Sequence, residues 1–531
     1  MNSLKRKQTG QNATDTEKQL LIRNRQACGS TVMVVFPPCC TCRRRPCRRH
    51  HDAMSAQPLY QRLAEYYRDA IHSGVLPPLA RMPSVRNLVR THQVSLSTAL
   101  QVCRRLEEDG LLEARPRSGY FVRPSSAPSL APATEPDMRA AQQPAAYVGI
   151  HDRVSHFIAR CEQYPDSVNF ALAAAEPQAY PQDALRQALT RCLRQQPGLL
   201  TSRVPPQGAP ALREVLARRM LASGIRATAQ DVIVTHGCIE ALNLALRAVA
   251  SPGDTIAVES PAYFGLLQVL ESLGLRALEI PTSPQRGLSV EALDLALQTQ
   301  PGIRAVVAVP NLQNPLGCVM PDHDKQALLQ CCLKHEIALI EDDTYGLLID
   351  TGPQRAIKHW DRDGQVIYCS SLHKTLAPGM RLGWVLGGRW QARIDMLKYA
   401  QSRPNEAAGQ LAAAAYMATK AFDRHLGRLR GQLARQRQHM ARGVAREFPP
   451  ATRLTLPPGG MLLWVELPDD IDGEALFEAA LRQGIRIAPG AIFSNASRFG
   501  HFVRLSCADP EPLRVDRSLR TLGRLAHSLQ N

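Results

Sequence analysis

The chain has 531 residues, of which 44% are hydrophobic and 21% charged, and its formal net charge is +17. This length predicts two or three domains with buried cores, and the basic excess indicates an anionic partner. No apolar run is long enough for a membrane span, and the 14 cysteines are too scattered for a disulfide framework, so a membrane-spanning protein and a disulfide-stabilised one are excluded.

Residues 1–53 form a basic tail with eleven Lys and Arg against three Asp and Glu. They lack helical or strand periodicity, so we expect disorder. Four cysteines crowd into this tail, at Cys39, Cys40, Cys42 and Cys47, but their spacing matches no zinc finger or ribbon and no metal site is predicted. Met54 opens a globular pattern, and one hypothesis is that translation starts there and residues 1–53 are not made.

Residues 54–124 have the pattern of a small DNA-binding domain. The run 57–73 has apolar residues at helical spacing, a second helix follows Ser84, and a third follows Ser95. The sequence LLEARPRSGYFV then reads as two short strands around a basic turn. This order of helix, helix–turn–helix and β-wing predicts a winged helix whose third helix is the recognition helix.

The alternative for this segment is a small helical adaptor or dimerisation module. The placement of polar residues favours double-stranded DNA as the partner. Arg86 opens the second helix, Ser97 and Thr98 open the third, and Arg115 and Arg117 flank the wing. These are the positions from which phosphates and base edges are reached in this geometry.

The segment resembles the GntR-type winged helix–turn–helix along its whole length. The resemblance is carried by Pro58-Leu59-Tyr60, Pro83-Ser84 with Arg86, Val94-Ser95, Ser97-Thr98, Leu106-Glu107, Gly110-Leu111 and Gly119. It implies that DNA is contacted by Ser84, Arg86, Ser95, Ser97, Thr98, Arg117 and Gly119. The chain departs from the family at Leu96 and Leu100, where members often carry arginines.

Residues 125–147 are rich in Pro, Ala and Ser and show no periodicity. They predict an extended, flexible linker that lets the two parts of the chain reorient.

Residues 148–531 alternate short apolar runs with amphipathic helices. The runs DVIVTHG, TIAVESP, AVVAVPN, ALIEDD and VIYCSS each end in polar, Gly or acidic residues. This alternation predicts an α/β domain with parallel strands and crossover helices, in which ligands bind at the C-terminal ends of the strands.

The run SSLHKTLAPGMRLGW suggests what that ligand is. It joins Lys374 to Arg381 through a Pro-Gly turn, directly after an apolar strand. A cofactor aldehyde with a phosphate handle needs a lysine to form a Schiff base and an arginine to grip the phosphate. A lone lysine after a strand is usually a solvated surface residue, so the prediction of a pyridoxal-phosphate pocket rests on the other strand ends.

Those strand ends supply the remaining groups. Gly237 and Cys238 open a helix whose N–H groups suit a phosphate, and Tyr263 suits stacking on a pyridine ring. Asn314 suits a ring phenolate oxygen, and Asp342 suits a protonated ring nitrogen. Each is weak evidence alone, because such residues commonly form turns or cores.

This order resembles the type I fold of pyridoxal-phosphate aminotransferases over most of residues 150–525. The resemblance implies that Lys374 carries the cofactor as an aldimine. It further assigns the ring nitrogen to Asp342, the phenolate to Asn314 and Tyr345, the ring stacking to Tyr263, the phosphate to Gly237, Cys238, Ser371 and Arg381, and a substrate carboxylate to Arg504. It also implies a homodimer. The chain departs from the family at Arg203, Ile239, Leu316 and His373.

A GntR-type reader joined to an aminotransferase-like domain is the layout of MocR-type transcriptional regulators. It implies a cytoplasmic regulator in which a small amino compound, or the vitamer itself, exchanges with Lys374 and alters DNA binding. Two alternatives are open: a catalytically active aminotransferase with an accessory DNA-binding module, and a cofactor-binding scaffold with no role on DNA.

Overall fold

The structure is a computed structural model that describes residues 58–72, 76, 80–109, 111–115, 118–123, 130–138, 143–201, 203–496 and 498–530. The chain divides into two compact units, with the division after Pro124. The predictions for residues 1–53, including the start at Met54, and the prediction for Arg117 lie outside the described residues.

The N-terminal unit has the predicted order of helices followed by a hairpin. Its elements are α1 (Leu59–His72), α2 (Val85–His92), α3 (Leu96–Glu108), β1 (Leu112–Arg115) and β2 (Gly119–Val122). Ser84 and Ser95 are the N-caps of α2 and α3, and their hydroxyls accept from backbone N–H groups at 3.2 and 3.1 Å. Leu88, Val102 and Leu106 pack in one small core with Leu112 of the hairpin.

The C-terminal unit alternates helices and strands. The helices are α4 (His151–Glu162), α5 (Gln182–Gln195), α6 (Pro210–Met220), α7 (Cys238–Val249), α8 (Phe264–Ser272), α9 (Val290–Thr299), α10 (Asp322–Lys334), α11 (Gln391–Gln401), α12 (Ala407–Met417), α13 (Lys420–Glu447), α14 (Gly473–Arg482) and α15 (Pro512–Leu529). The strands are β3 (Ala146–Tyr147), β4 (Val168–Asn169), β5 (Val232–Thr235), β6 (Thr255–Ser260), β7 (Arg276–Ser283), β8 (Gly287–Leu288), β9 (Ile303–Ala308), β10 (Ala338–Asp342), β11 (Val366–Ser371), β12 (Gly383–Leu386), β13 (Arg453–Leu454), β14 (Leu462–Glu466), β15 (Ile485–Arg486), β16 (Ala488–Pro489) and β17 (Phe502–Ser506).

The main sheet has the order β3-β7-β6-β9-β10-β11-β12-β5, with β8 paired to β7. The five predicted strands, β5, β6, β9, β10 and β11, all run in one direction, so their C-terminal ends meet at one edge. The sequence did not predict β12, which runs antiparallel between β11 and β5. Both faces of the sheet are covered: Ile233 packs with residues of α7, and Val232 and Val234 pack with residues of α6.

A second, antiparallel sheet has the order β13-β14-β17-β16. Trp464 of β14 stands opposite Arg504 of β17, which places that arginine in the middle of the sheet. Trp464, Phe477 and Phe493 lie in the apolar core that this sheet shares with helices α14 and α15. No helix of the described residues is long and apolar enough to cross a bilayer.

Part of the segment predicted as a flexible linker lies against this second sheet. The Leu454 N–H donates to the Ala131 carbonyl at 2.9 Å, and the Ala133 N–H donates to the Thr455 hydroxyl at 3.0 Å. Thr134 donates through its N–H and its hydroxyl to the two carboxylate oxygens of Glu466, at 2.7 and 2.6 Å. An extended segment adds readily to the open edge of a sheet, and composition does not reveal such pairing.

We expect Thr134→Val to loosen this docked segment, residues 130–134, because the variant loses the hydroxyl that donates to the Glu466 carboxylate. Limited proteolysis followed by mass spectrometry should show cleavage within residues 123–138 accelerating about fivefold, as loss of one charge-assisted hydrogen bond at a partly exposed site allows. Thr299→Val, a matched change on an exposed helix, should leave the cleavage rate unchanged. Equal rates in both variants would contradict this account.

Candidate cofactor site

Lys374 lies just beyond the C-terminal end of β11 and is partly buried. Its Nζ donates to the Ala173 carbonyl at 2.6 Å and lies 5.6 Å from the centroid of the Tyr345 ring. Burial, with the positive charges of Arg504 and Arg381, lowers the pKa of Lys374 to about 7. A lysine with this pKa exists partly as the free amine at neutral pH, and the free amine is the form that attacks a carbonyl carbon.

Asp342 ends the neighbouring strand β10. Its Oδ1 accepts from the Thr344 hydroxyl at 2.6 Å, from the Thr344 N–H at 3.0 Å and from the Cys238 thiol at 3.3 Å. Burial raises the pKa of Asp342, and these hydrogen bonds and Lys374 oppose that rise. The contacts fix the carboxylate at the same sheet edge as Lys374.

The turn between β5 and α7 is shaped by glycine. Gly237 is the N-cap of α7 with φ +82°, a left-handed conformation that favours glycine. A Cβ at Gly237 would lie 3.1 Å from the Arg381 guanidinium, and a Cβ at Gly383 would lie 2.5 Å from the Gly237 backbone. The two glycines therefore let a backbone turn, a helix N-terminus and an arginine approach one another, which is a favourable arrangement for a phosphate.

Arg381 faces this turn from the loop after β11. Its Nη2 donates to the His236 carbonyl at 3.4 Å, and its Nη1 lies 3.3 Å from His373 Nδ1. Burial and the charges of Lys374 and Arg381 lower the pKa of His373 to about 4, so the ring is neutral and accepts from the guanidinium. Ser371, which ends β11, is buried and stands opposite Gly383.

Arg504 is only 2% exposed. Its Nη1 donates to Asn314 Oδ1 at 3.0 Å and its Nη2 to the Ala171 carbonyl at 2.5 Å, while its guanidinium carbon lies 4.9 Å from the centroid of the Phe493 ring. No carboxylate among the described residues forms an ion pair with it, and its buried Nε has no partner there. A buried cation without an anion is costly, so this position favours an anionic ligand.

Tyr263 and Tyr345 complete the group of predicted cofactor residues. Tyr263 precedes α8 as its N-cap, and Tyr345 follows Asp342 by three residues. Burial raises the pKa of both phenols, and the charge of Arg504 opposes the rise in each case. The structure therefore brings the predicted residues to one sheet edge, while the role of each remains a prediction.

Sequence reasoning missed several groups that hold this site. Ala171 and Ala173 contribute only backbone carbonyls, which leave no trace in the sequence. Gln313 donates to Glu259 Oε2 at 3.0 Å and to the Pro261 carbonyl at 2.7 Å, so it joins the loops that carry Tyr263 and Asn314. Thr344 lies two residues after Asp342, so its turn contact is a local signal, whereas Phe493 meets Arg504 only through the fold.

The predicted DNA-contacting residues of the N-terminal unit are mostly at its surface. Arg86 is exposed on α2, and the Ser95 hydroxyl lies 2.8 Å from those of Ser97 and Thr98 at the start of α3. The N-cap bonds of Ser84 and Ser95 account for those serines without DNA. Gly119 has φ +99°, which the turn of the hairpin requires. Arg115 is tied to Glu113 within β1, with Nε donating at 2.6 Å.

Comparison with known proteins identifies both units. Residues 59–122 match the family described as bacterial regulatory proteins, gntR family, and residues 170–522 match aminotransferase class I and II. The chain is 38% identical over 468 residues to the uncharacterized HTH-type transcriptional regulator YjiR of Escherichia coli (strain K12), covering 87% of this chain and 98% of that protein. The chain belongs to the MocR-type transcriptional regulators. In these a GntR domain precedes an aminotransferase-like domain, as the sequence predicted.

Aminotransferases are also similar to the C-terminal unit of this regulator. Aromatic-amino-acid aminotransferase 1 of Thermococcus litoralis is 28% identical, over 62% of this chain and 80% of that protein. The crystal structure of LysN, an α-aminoadipate aminotransferase from Thermus thermophilus complexed with N-(5'-phosphopyridoxyl)-L-leucine, has a TM-score of 0.64 at 26% identity and covers 71% of this chain and 97% of that one. The predicted fold class is confirmed, and pyridoxal phosphate is the cofactor of this domain.

The residues present fit that cofactor. The Lys374 amine, with its lowered pKa, matches the aldehyde of the cofactor. The turn at Gly237, which lacks a Cβ beside Arg381, matches the phosphate, and the fixed carboxylate of Asp342 matches the ring nitrogen.

We expect apo-protein to capture pyridoxal phosphate faster as pH rises, with a midpoint near the Lys374 pKa of about 7. A lowered lysine pKa means that the nucleophilic free amine dominates above the midpoint, so below it the rate should fall about tenfold per pH unit. Stopped-flow absorbance from about pH 5 to about pH 10 measures this profile. Lys374→Ala should show no capture, and Lys334→Ala, at an exposed lysine, should keep the wild-type profile. A midpoint near that of an ordinary lysine would contradict the assignment.

Proposed function

We propose that this regulator binds double-stranded DNA through its winged helix and senses an amino compound, or the vitamer itself, through a covalent link of the cofactor to Lys374. The proposal is supported by the packing of the predicted cofactor residues Lys374, Asp342 and Arg504 in a chain that also carries a GntR domain. A DNA-binding regulator of this kind acts in the cytoplasm as a homodimer. Each protomer contributes one winged helix to the operator, as is usual for two-fold DNA readers.

The residues at the sheet edge divide the work of holding the cofactor. When bound, pyridoxal phosphate supplies an aldehyde that bonds reversibly to amines and a ring that withdraws electrons. Lys374 offers the amine that holds the cofactor at rest. The remaining contacts come from the turn at Gly237 and Cys238 with Ser371 and Arg381 for the phosphate, from Asp342 for the ring nitrogen, from Asn314 and Tyr345 for the ring oxygen, and from Tyr263 for stacking.

Arg504 defines the class of effector. Its guanidinium is buried, bonds only neutral oxygens of Asn314 and Ala171, and keeps Nε free of any described partner. A carboxylate would supply the missing anion and would form the strong paired hydrogen bonds that guanidinium favours. We therefore propose an effector that carries both a primary amine, to compete with Lys374, and a carboxylate, to pair with Arg504.

The second sheet offers a route from the effector to the linker. Arg504 lies on β17, β17 pairs with β14, and Glu466 at the end of β14 holds Thr134 of the docked segment. A ligand that shifts β17 would change how firmly residues 130–134 are held, and so how free the chain is between the two units. This coupling counts as allosteric only when effector and DNA change each other's affinity by the same factor.

The alternative is a working aminotransferase with an accessory DNA-binding module. It is favoured by the presence of the Lys374 amine, which an enzyme needs as the general base for the α-proton, beside Asp342 and Arg504. Mixing holo-protein with amino acids and a keto acid distinguishes the two. We expect no sustained turnover, whereas steady rates of about 1 per second or more would establish the enzyme.

We expect Arg86→Ala to weaken DNA binding about fivefold to tenfold without changing cofactor loading, because an exposed arginine at the start of α2 contacts a phosphate. The slope of log affinity against log salt should fall by about 1. Electrophoretic mobility shift on the gene's own upstream region measures both, with absorbance for cofactor content. Arg442→Ala, at an exposed arginine of the C-terminal unit, is the matched control.

Two outcomes would overturn parts of the proposal. Equal loss of cofactor and DNA binding in Arg86→Ala would contradict two separate modules. If the wild-type protein shows no salt-sensitive DNA binding, the remaining interpretation is a cofactor-binding scaffold that has no role on DNA.

A further inference from the structure

A buried ion pair, Lys398 with Glu240, contacts the turn between β5 and α7 that faces Arg381. Lys398 of α11 has an exposed fraction of 0%. Its Nζ donates to Glu240 Oε2 at 2.9 Å, to the Ser402 hydroxyl at 2.9 Å and to Asn405 Oδ1 at 3.1 Å, and lies 3.4 Å from His236 Nδ1. All the hydrogens of this ammonium are therefore engaged, and α11 is tied to the first turn of α7.

Glu240 fixes the turn at His236 and Gly237, which is the turn proposed for the phosphate. Its Oε2 accepts the His236 N–H at 2.6 Å, and its Oε1 accepts the Ser402 hydroxyl. Burial opposes ionisation of Glu240, but hydrogen bonds from Ser402, His236 and Lys398 outweigh burial and lower its pKa. The carboxylate is thus charged at neutral pH and fixes the residue that precedes Gly237.

The same position creates an electrostatic conflict. A carboxylate in the first turn of α7 is favoured by the helix dipole, but it stands near the site where a phosphate dianion would bind and repels it. The His236 carbonyl accepts from Arg381 Nη2 at 3.4 Å, so one residue contacts both the carboxylate, through its N–H, and the phosphate-binding guanidinium, through its C=O. A cation beside Glu240 lets the carboxylate keep its hydrogen bond to the His236 N–H while its charge no longer repels the phosphate.

We propose that Lys398 and Glu240 are positioning residues for the phosphate of the cofactor. Glu240 orients the His236–Gly237 turn, and Lys398 cancels the charge of Glu240 so that the turn accepts a dianion. The inference rests on the proposed use of this turn for the phosphate of pyridoxal phosphate. A purely structural clamp between α7 and α11 is the competing explanation, and it has no reason to distinguish a phosphorylated ligand from an unphosphorylated one.

The test compares pyridoxal phosphate with pyridoxal on the full-length apo-protein, by absorbance or fluorescence titration. Lys398→Met should weaken binding of pyridoxal phosphate at least tenfold, because an uncompensated carboxylate remains in a poorly screened site. Glu240→Gln should bind pyridoxal phosphate severalfold more tightly than wild type, because it leaves the Lys398 charge unopposed. Affinity for pyridoxal should stay within about twofold in both variants, because its uncharged hydroxymethyl group senses neither charge.

The double variant Lys398→Met/Glu240→Gln should return the affinity for pyridoxal phosphate to within about threefold of wild type, since both charges are gone. If Lys398→Met alone does not fold, the double variant and Glu240→Gln still test the proposal. Lys358→Met is a matched control: Lys358 is 14% exposed and pairs with Asp361 at 2.8 Å. It should not change the ratio of the two affinities.

Each outcome has one interpretation. Equal losses for both ligands in Lys398→Met, or unchanged binding of pyridoxal phosphate in Glu240→Gln, would overturn the positioning role and leave a structural clamp. Failure of the wild-type protein to bind either ligand would instead overturn the proposed cofactor site itself.

Discussion

The cofactor pocket depends on concentrated positive charge that the carboxylates of the described residues offset only in part. Lys374 and Arg381 lie at the C-terminal edge of the main sheet, and Arg504 contacts Asn314 there from β17 of the second sheet. Arg504 is buried without a described carboxylate partner. Burial, reinforced by repulsion from Arg504 and Arg381, lowers the Lys374 pKa and makes the amine reactive. The two arginines also leave two places where an anion is favourable. A ligand with a phosphate and an effector with a carboxylate would relieve the same repulsion that prepares the lysine.

The fold meets this constraint by aligning strand ends. Five strands point the same way, so Gly237, Asp342 and Lys374 arrive together although more than a hundred residues of chain separate the first from the second. The antiparallel β12 inserts Gly383 beside Gly237, and only glycine allows backbones that close. Because β12 lies between β11 and β5, Arg381 in the loop that leads into β12 reaches the turn that follows β5.

The sequence predicts those strands, helix starts and side chains that can be recognised from residues close by in the chain. Apolar runs with polar ends identify β5, β6, β9, β10 and β11, and N-cap serines identify α2 and α3. The four-residue β12 lacks a pattern of its own, because its residues are fixed by the neighbours on either side. Side chains with distinctive chemistry, such as Lys374 and Asp342, are predictable, whereas the carbonyls of Ala171 and Ala173 and the docking of Thr134 on Glu466 exist only through contacts distant in sequence.

Two of the departures from the aminotransferase pattern, Ile239 and His373, lie beside the turn and the arginine that we propose for the phosphate, where several neighbouring side chains hold one another in place. His373 is kept neutral and accepts from Arg381, Cys238 donates to Asp342, and Glu240 is charged behind the turn and paired with Lys398. Each of these holds an existing group in place, and the ring and amine positions are retained. A chain under selection for sensing needs cofactor and effector to bind and exchange at a controlled affinity, with no requirement for speed in the later steps of transamination. Tuning the phosphate end alters that affinity while the chemistry at Lys374 is preserved, which is the combination expected of a sensor built from an enzyme fold.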